Sequence, residues 1–169
     1  MMNQRPIVKI TSTPLDRCLD GISLLLLIAF FGITVFYYAS LPETIPTHFN
    51  AAGEPDAYGD KVSIFLLLGI ALLIFILLRY FQNKPHLYNY PTTITEENAQ
   101  EQYGKAMRMM RILNLATLVI LFYLQFQTIQ TALGNAEGLG SYFMVIALVA
   151  GFLPLLFLLP SKKKQRISK

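Results

Sequence analysis

Four long apolar segments without a charged side chain limit what this chain can fold into. They are residues 21–42, 62–78, 112–136 and 138–161. A helix needs roughly 20 mostly apolar residues to cross the hydrocarbon core of a bilayer, and each segment reaches or approaches that length. A soluble core of this size would need polar faces on its helices, which these segments lack. The pattern predicts an all-α membrane protein built as a four-helix transmembrane bundle.

The predicted spans divide the chain into a membrane domain with two loops and two polar ends. The spans are expected at about residues 21–40, 62–80, 111–131 and 141–160. Within the membrane domain, residues 13–161, the connections are an outer loop at 41–61 and an inner loop and helix at 81–110. A flexible N-terminus, residues 1–12, precedes this domain, and a basic tail, residues 162–169, follows it.

The basic side chains are unevenly distributed, and their placement predicts the orientation. Lys and Arg cluster before the first span, between the second and third spans and after the fourth, whereas the loop 41–61 contains only Lys61. The positive-inside rule places the basic regions in the cytoplasm, so both termini are expected inside and the loop 41–61 outside. The net charge of +4 therefore indicates contact with anionic lipid rather than nucleic acid.

The loop 41–61 is the only long polar segment dense in side chains that could take part in chemistry. Its prolines and glycines exclude a helix. Extended backbone before Pro46 and a turn in which Gly53 can adopt a positive φ predict a small hairpin-like extracytoplasmic cap. Loops held by rigid helices commonly carry recognition, so we take as candidate ligand-binding residues His48, Asn50, Glu54, Asp56 and Tyr58.

A divalent metal in this loop is an alternative. His48 with Glu54 and Asp56 would suit zinc or manganese, and a metal-dependent membrane enzyme could use the same cluster. No second histidine is expected nearby, because His86 is predicted on the opposite side of the membrane. A nucleophile is suggested only by Thr47 beside His48, and adjacent strand residues point to opposite faces. We therefore predict no enzyme activity.

The third span is the most polar of the four. Its intramembrane amides include Asn114, Gln125, Gln127 and Gln130. An unpaired amide is costly in hydrocarbon, so some of these side chains should face other helices and form hydrogen bonds there. A small transporter or accessory subunit is a further alternative, although no charged side chain lies deep in a span to mark a transport path.

Two motifs resemble a known family. The pattern LPxxIPxHFNxxGExDxYGxK covers residues 41–61, and NYPxxITxENAxxQY covers residues 89–103. Together they resemble the N-terminal domain of unknown function in SdpI-like bacterial membrane proteins and the small relatives of that family. The resemblance implies a multi-pass protein of the bacterial cytoplasmic membrane, in a short form without the C-terminal helices of the immunity protein. It implies no established enzyme activity.

The outer loop and the resemblance lead to the same functional expectation. The best-known SdpI-like member gives immunity to a secreted toxic peptide and also signals. By resemblance, the outer loop of this chain is expected to recognise an extracytoplasmic ligand for sensing, sequestration or tolerance. The expected partners are the lipid bilayer and an extracytoplasmic peptide or membrane protein. The sequence does not indicate which oligomeric state the protein adopts.

Overall fold

A computed structural model describes residues 5–154 of the chain. The end of the predicted fourth span and the basic tail at 162–169 lie outside the described residues. The helices are α1 at Pro14–Tyr38, α2 at Ile64–Gln82, α3 at Glu96–Ala132 and α4 at Tyr142–Phe152. The strands are β1 at Thr44–Phe49 and β2 at Pro55–Asp60. Short 3₁₀ turns lie at Lys61–Ser63 and Pro85–Leu87.

Helix α1 starts at a capping box. The Thr13 hydroxyl accepts a hydrogen bond from the Asp16 backbone N–H at 3.3 Å, and the Asp16 carboxylate accepts one from the Thr13 N–H at 2.8 Å. Pro14 occupies the first turn, where its missing N–H costs nothing. The helix thus begins at charged and polar side chains and continues without a break through the first predicted span.

Within residues 5–154, three helical segments are long and apolar enough to cross a membrane. They are Pro14–Tyr38, Lys61–Gln82 and Glu96–Ala132. These segments support a membrane location for the protein. Within the described residues α4 has only eleven residues, so the predicted four-helix bundle is not established. The predicted fourth span continues beyond the described residues.

Helix α3 is the central packing element, since both α1 and α2 lie against it. The middle of the bundle buries Leu27 and Phe30 from α1, Ala71 from α2 and Leu118 from α3. The Phe30 and Phe122 rings meet edge to face, with centroids 5.9 Å apart. Most other apolar side chains of α1 and α2 point outward, as expected where lipid is the solvent.

The helices give the molecule two ends of different character. The hairpin end is where α1 and α3 finish and α2 begins, and it carries β1 and β2. The charged end is where α1 and α3 begin and α2 finishes. Residues 5–12, predicted as a flexible segment, run along α3 there without regular secondary structure. Val8 and Ile10 pack on Tyr103, whose hydroxyl donates to the Pro6 carbonyl at 3.0 Å.

Candidate functional site

The loop at the hairpin end is a two-stranded antiparallel sheet. Thr44 lies opposite Asp60, Ile45 opposite Gly59 and Pro46 opposite Tyr58. The register shifts around His48, which lies opposite Ala57. This confirms the hairpin predicted from the prolines and glycines of the loop.

The turn of the hairpin is built by Asn50 and Glu54. The Asn50 side-chain oxygen accepts from the backbone N–H groups of Ala52 at 2.9 Å and Glu54 at 3.0 Å. Its amide nitrogen donates to the Glu54 carboxylate at 3.0 Å. Gly53 has a φ of +82°, which glycine adopts without strain. These two predicted ligand-binding residues are therefore engaged in holding the turn.

His48, Asp56 and Tyr58 are among the exposed side chains of the hairpin. The His48 Nδ1 atom lies 2.5 Å from an Asp56 carboxylate oxygen. The two side chains remain 68% and 43% exposed, and Tyr58 is 60% exposed. A paired imidazole and carboxylate beside an open aromatic ring can offer a partner hydrogen bonds, negative charge and a stacking surface.

The predicted metal ligands are not all brought together. His48 and Asp56 are in contact, but Glu54 turns toward Asn50. Among residues 5–154, no group of three or more His, Cys, Asp or Glu side chains is placed to hold a metal ion. His86 lies in the turn after α2, at the charged end and thus away from the hairpin.

The base of the hairpin is fixed to the helices by an apolar anchor and an ion pair. Ile45 is 1% exposed and packs with Leu41, Ile64 and Ile129. Lys61 donates to the Glu43 carboxylate at 2.7 Å, across the two strand ends. The strands therefore leave the membrane helices in a defined direction.

The tip of the hairpin is fixed to the loop between α3 and α4, a contact that the sequence analysis missed. The Leu139 N–H donates to the Gly53 carbonyl at 2.8 Å. From α3, the Gln127 amide donates to the carbonyls of Gly138 at 3.0 Å and Leu139 at 3.1 Å, and the Tyr123 hydroxyl donates to the Leu139 carbonyl at 2.8 Å. The closely spaced Gly138 and Gly140 are the sequence signal that could have indicated a close backbone approach there.

The other amides of α3 connect it to its surroundings. Asn114 donates to the Phe75 carbonyl of α2 at 3.4 Å, and its own side-chain oxygen has no partner within residues 5–154. Gln130 accepts from the Asn135 side chain at 3.0 Å. Gln125 is 1% exposed and donates to the Thr34 hydroxyl of α1 at 2.8 Å and to the Ile64 carbonyl at 3.2 Å.

Replacing Gln125 by leucine is expected to lower the free energy of unfolding by about 1 kcal/mol, a typical value for a hydrogen bond between membrane helices. The change removes the hydrogen bonds that link α3 to the Thr34 hydroxyl of α1 and to the Ile64 carbonyl of α2. Unfolding in mixed detergent micelles, followed by circular dichroism, measures this loss. Gln130→Leu, at a less buried position, serves as the control, and an equal loss in both variants would contradict the special role of Gln125.

A network of ion pairs at the charged end joins all three long helices. Arg108 of α3 contacts Asp16 of α1 at 2.9 Å, and Arg111 contacts Asp20 at 3.2 Å. Arg79 of α2 also pairs with Asp20. The sequence analysis did not identify this network, although Asp16 and Asp20 are four residues apart and therefore share one face of α1.

Tyrosines of the inner loop contact the N-terminal segment and the end of α2 at the charged end. Arg5 lies 5.6 Å from the centre of the Tyr90 ring and donates to the His86 carbonyl at 3.2 Å. Burial raises the pKa of Tyr88 to about 12. The Tyr88 hydroxyl donates to the Phe81 carbonyl at 2.5 Å.

The fold and the site define a class: a membrane protein whose apolar helices carry a rigid, solvent-exposed β-hairpin at one end. Residues 25–78, from within α1 through the hairpin into α2, match a family described as "Domain of unknown function (DUF1648)". The chain is also 27% identical over 146 residues to an "Uncharacterized protein" of Archaeoglobus fulgidus, covering 78% of this chain and 80% of that protein. No solved structure matches the chain.

Proposed function

We propose that the hairpin recognises an extracytoplasmic ligand, and that the protein senses, sequesters or gives tolerance to that ligand. The observation that carries this proposal is the rigid presentation of His48, Asp56 and Tyr58. The base is held through Ile45 and the tip through Gly53, while these three side chains stay open to solvent. Rigid presentation supports recognition because less ordering entropy is lost on binding.

The charges of the hairpin end favour a cationic ligand. Its acidic side chains are Glu43, Glu54, Asp56, Asp60 and Glu137, and its one lysine, Lys61, is paired with Glu43. A cationic peptide or a basic segment of another membrane protein would be attracted to this surface. The exposed Tyr58 ring adds a site for a cation–π contact.

The resemblance of residues 41–61 to SdpI-like proteins supports tolerance to a toxic peptide as the biological role. We further propose that the protein lies in a bacterial cytoplasmic membrane, with both termini inside and the hairpin outside. This orientation rests on the distribution of Lys and Arg along the chain. Asn50 and Glu54, which build the turn, then shape the recognition surface rather than forming its centre.

This function can be tested with a bacterial host that expresses the full chain. The host is challenged with a panel of secreted cationic antimicrobial peptides, and the minimum inhibitory concentrations are measured. The wild-type protein is expected to raise the concentration needed for at least one peptide. His48→Ala, Asp56→Asn and Tyr58→Leu are each expected to reduce the protection, because truncating a central contact typically costs about tenfold in affinity.

A matched control removes the same charge at the other end of the molecule. Glu97→Gln lies in the first turn of α3 and should leave the protection unchanged. Equal membrane levels and thermal stability of all variants are checked in parallel. Protection by wild-type protein that survives all three hairpin substitutions would contradict recognition by the hairpin. Absence of protection against every peptide would contradict the tolerance role.

A further inference from the structure

A cavity of about 180 Å³ lies at the charged end, on the opposite side of the molecule from the hairpin. It is open to one side and is lined by residues 10–13, the first turn of α1 and residues 100–111 of α3. The polar side chains that line it are Thr11, Ser12, Thr13, Asp16, Gln100, Arg108 and Arg111. Its volume is several times the roughly 30 Å³ that a water molecule takes up in the liquid.

The carboxylate in this cavity is already satisfied. One Asp16 oxygen accepts from Arg108 Nε at 2.9 Å. The other accepts from the Thr13 backbone N–H at 2.8 Å and from the Thr13 hydroxyl at 2.7 Å. Asp16 therefore has little capacity to bind a cation in the cavity.

The donors, in contrast, are not all used. Arg108 employs its Nε and one terminal nitrogen, and its Nη1 has no hydrogen-bond partner within residues 5–154. The side chains of Thr11 and Gln100 are exposed and also form no hydrogen bond with any residue that the structure describes. The Ser12 oxygen accepts from Arg111 at 3.1 Å, which leaves its own proton to donate.

The charge around the cavity also favours an anionic ligand. Two guanidinium groups and one carboxylate line the cavity. With Asp20 and Arg79, which adjoin Arg111, the ion-pair network has three guanidinium groups and two carboxylates, so one positive charge is in excess. The positive end of the α1 helix dipole begins at Thr13 and adds to it. Residues 11–12, Gln100 and Arg108, which retain free donors, line this one cavity, and such donors are the kind that a tetrahedral oxyanion needs.

We infer that this cavity binds a phosphate group, supplied either by an anionic lipid headgroup or by a soluble phosphate compound. Arg108 provides the charge-assisted contact through Nη1, and Thr11, Ser12 and Gln100 bind the remaining oxygens. The bound group would connect residues 11–12 to α3 and thereby stabilise the charged end. This site is separate from the hairpin, so it stands whether or not the hairpin recognises a ligand.

The test uses the full chain in nanodiscs of phosphatidylcholine. Thermal unfolding is followed by circular dichroism during a titration with sodium phosphate, with sodium chloride at equal ionic strength as the reference. A second set of nanodiscs contains phosphatidylglycerol and no added phosphate. A specific rise in Tm with inorganic phosphate identifies a soluble source, and a rise with phosphatidylglycerol alone identifies the lipid; either supports the site.

Variants connect that rise in Tm to the cavity. Arg108→Gln is expected to weaken the apparent affinity about tenfold, since it removes a hydrogen bond to a charged group. The double variant Thr11→Val/Gln100→Leu leaves every ion pair intact and should weaken it roughly threefold or more. Arg17→Gln, which removes an exposed α1 charge outside the cavity, should change nothing. No stabilisation of wild-type protein by either source, or wild-type affinity in the double variant, would overturn the site.

Discussion

Replacing Arg111 by methionine is expected to lower the free energy of unfolding by about 3 kcal/mol, the lower part of the range for breaking a buried ion pair. Arg111 is 4% exposed and contacts Asp20 at 3.2 Å and the Ser12 hydroxyl at 3.1 Å. Methionine fills much of the same space but leaves Asp20 with one cationic partner fewer. Asp20 retains Arg79, which is why we expect the lower part of the range.

Two further variants separate charge from shape at this position. Arg111→Lys keeps the positive charge but loses the planar fork, so we expect a smaller loss, about 1–2 kcal/mol. Asp20→Asn combined with Arg111→Met also removes the carboxylate and its pair with Arg79. Because the Arg79 side chain is 44% exposed and can be solvated, we expect the double variant to recover part of the stability. Unfolding in mixed detergent micelles measures all three. A loss below about 1 kcal/mol in Arg111→Met would contradict a stabilising role for the network.

The helices and the hairpin could be predicted because each rests on local signals. Charge-free apolar segments indicated α1, α2 and α3, and Pro46 and Gly53 indicated the two strands and their turn. The bounds differ mainly where a helix extends past its apolar segment. Helix α1 begins at Pro14, ahead of the membrane span predicted from residue 21, and the local signals for that start are Thr13 as N-cap, Pro14 and Asp16 in the first turn.

The contacts between distant parts of the chain could not be predicted in the same way. Asp16 and Arg108 are far apart in sequence, and nothing local indicates that α1 and α3 bring them within 2.9 Å. The packing of Val8 and Ile10 on Tyr103 is likewise a tertiary property. A polar segment with a few apolar residues looks flexible until the surface on which it packs is known.

The sequence predicted which residues make up the candidate site, but not which of them hold the turn and which are exposed for a partner. Asn50 and Glu54 have the same polarity as His48 and Asp56, so composition alone gave all four the same role. The structure separates them because Asn50 is placed to accept from backbone N–H groups two and four residues ahead. Such local side-chain to backbone bonds are the ordinary role of asparagine in turns. His48 and Asp56 instead pair with each other across the strands and stay open to solvent.

The docking of the hairpin tip leads to the second large effect: Gly138→Ala is expected to lower the free energy of unfolding by about 2 kcal/mol, as overpacking typically does. A Cβ atom at Gly138 would lie 2.1 Å from the Gly53 carbonyl oxygen and 3.1 Å from its carbonyl carbon. Both are backbone atoms, so no side-chain rotation relieves the overlap. The α3–α4 loop must move away, and the Leu139 N–H then loses the Gly53 carbonyl at 2.8 Å.

Hydrogen exchange distinguishes this local detachment from general destabilisation. In Gly138→Ala, the N–H groups of Leu139 and of the turn around Gly53 should exchange faster, while those in the middle of α3 stay protected. Gly69→Ala is the matched control, because a Cβ there meets no atom within 4 Å and alanine favours the helix. Wild-type exchange at Leu139 in Gly138→Ala would mean that the tip is not held by this contact. Faster exchange confined to the tip would show that the α3–α4 loop holds the turn at Gly53 in place.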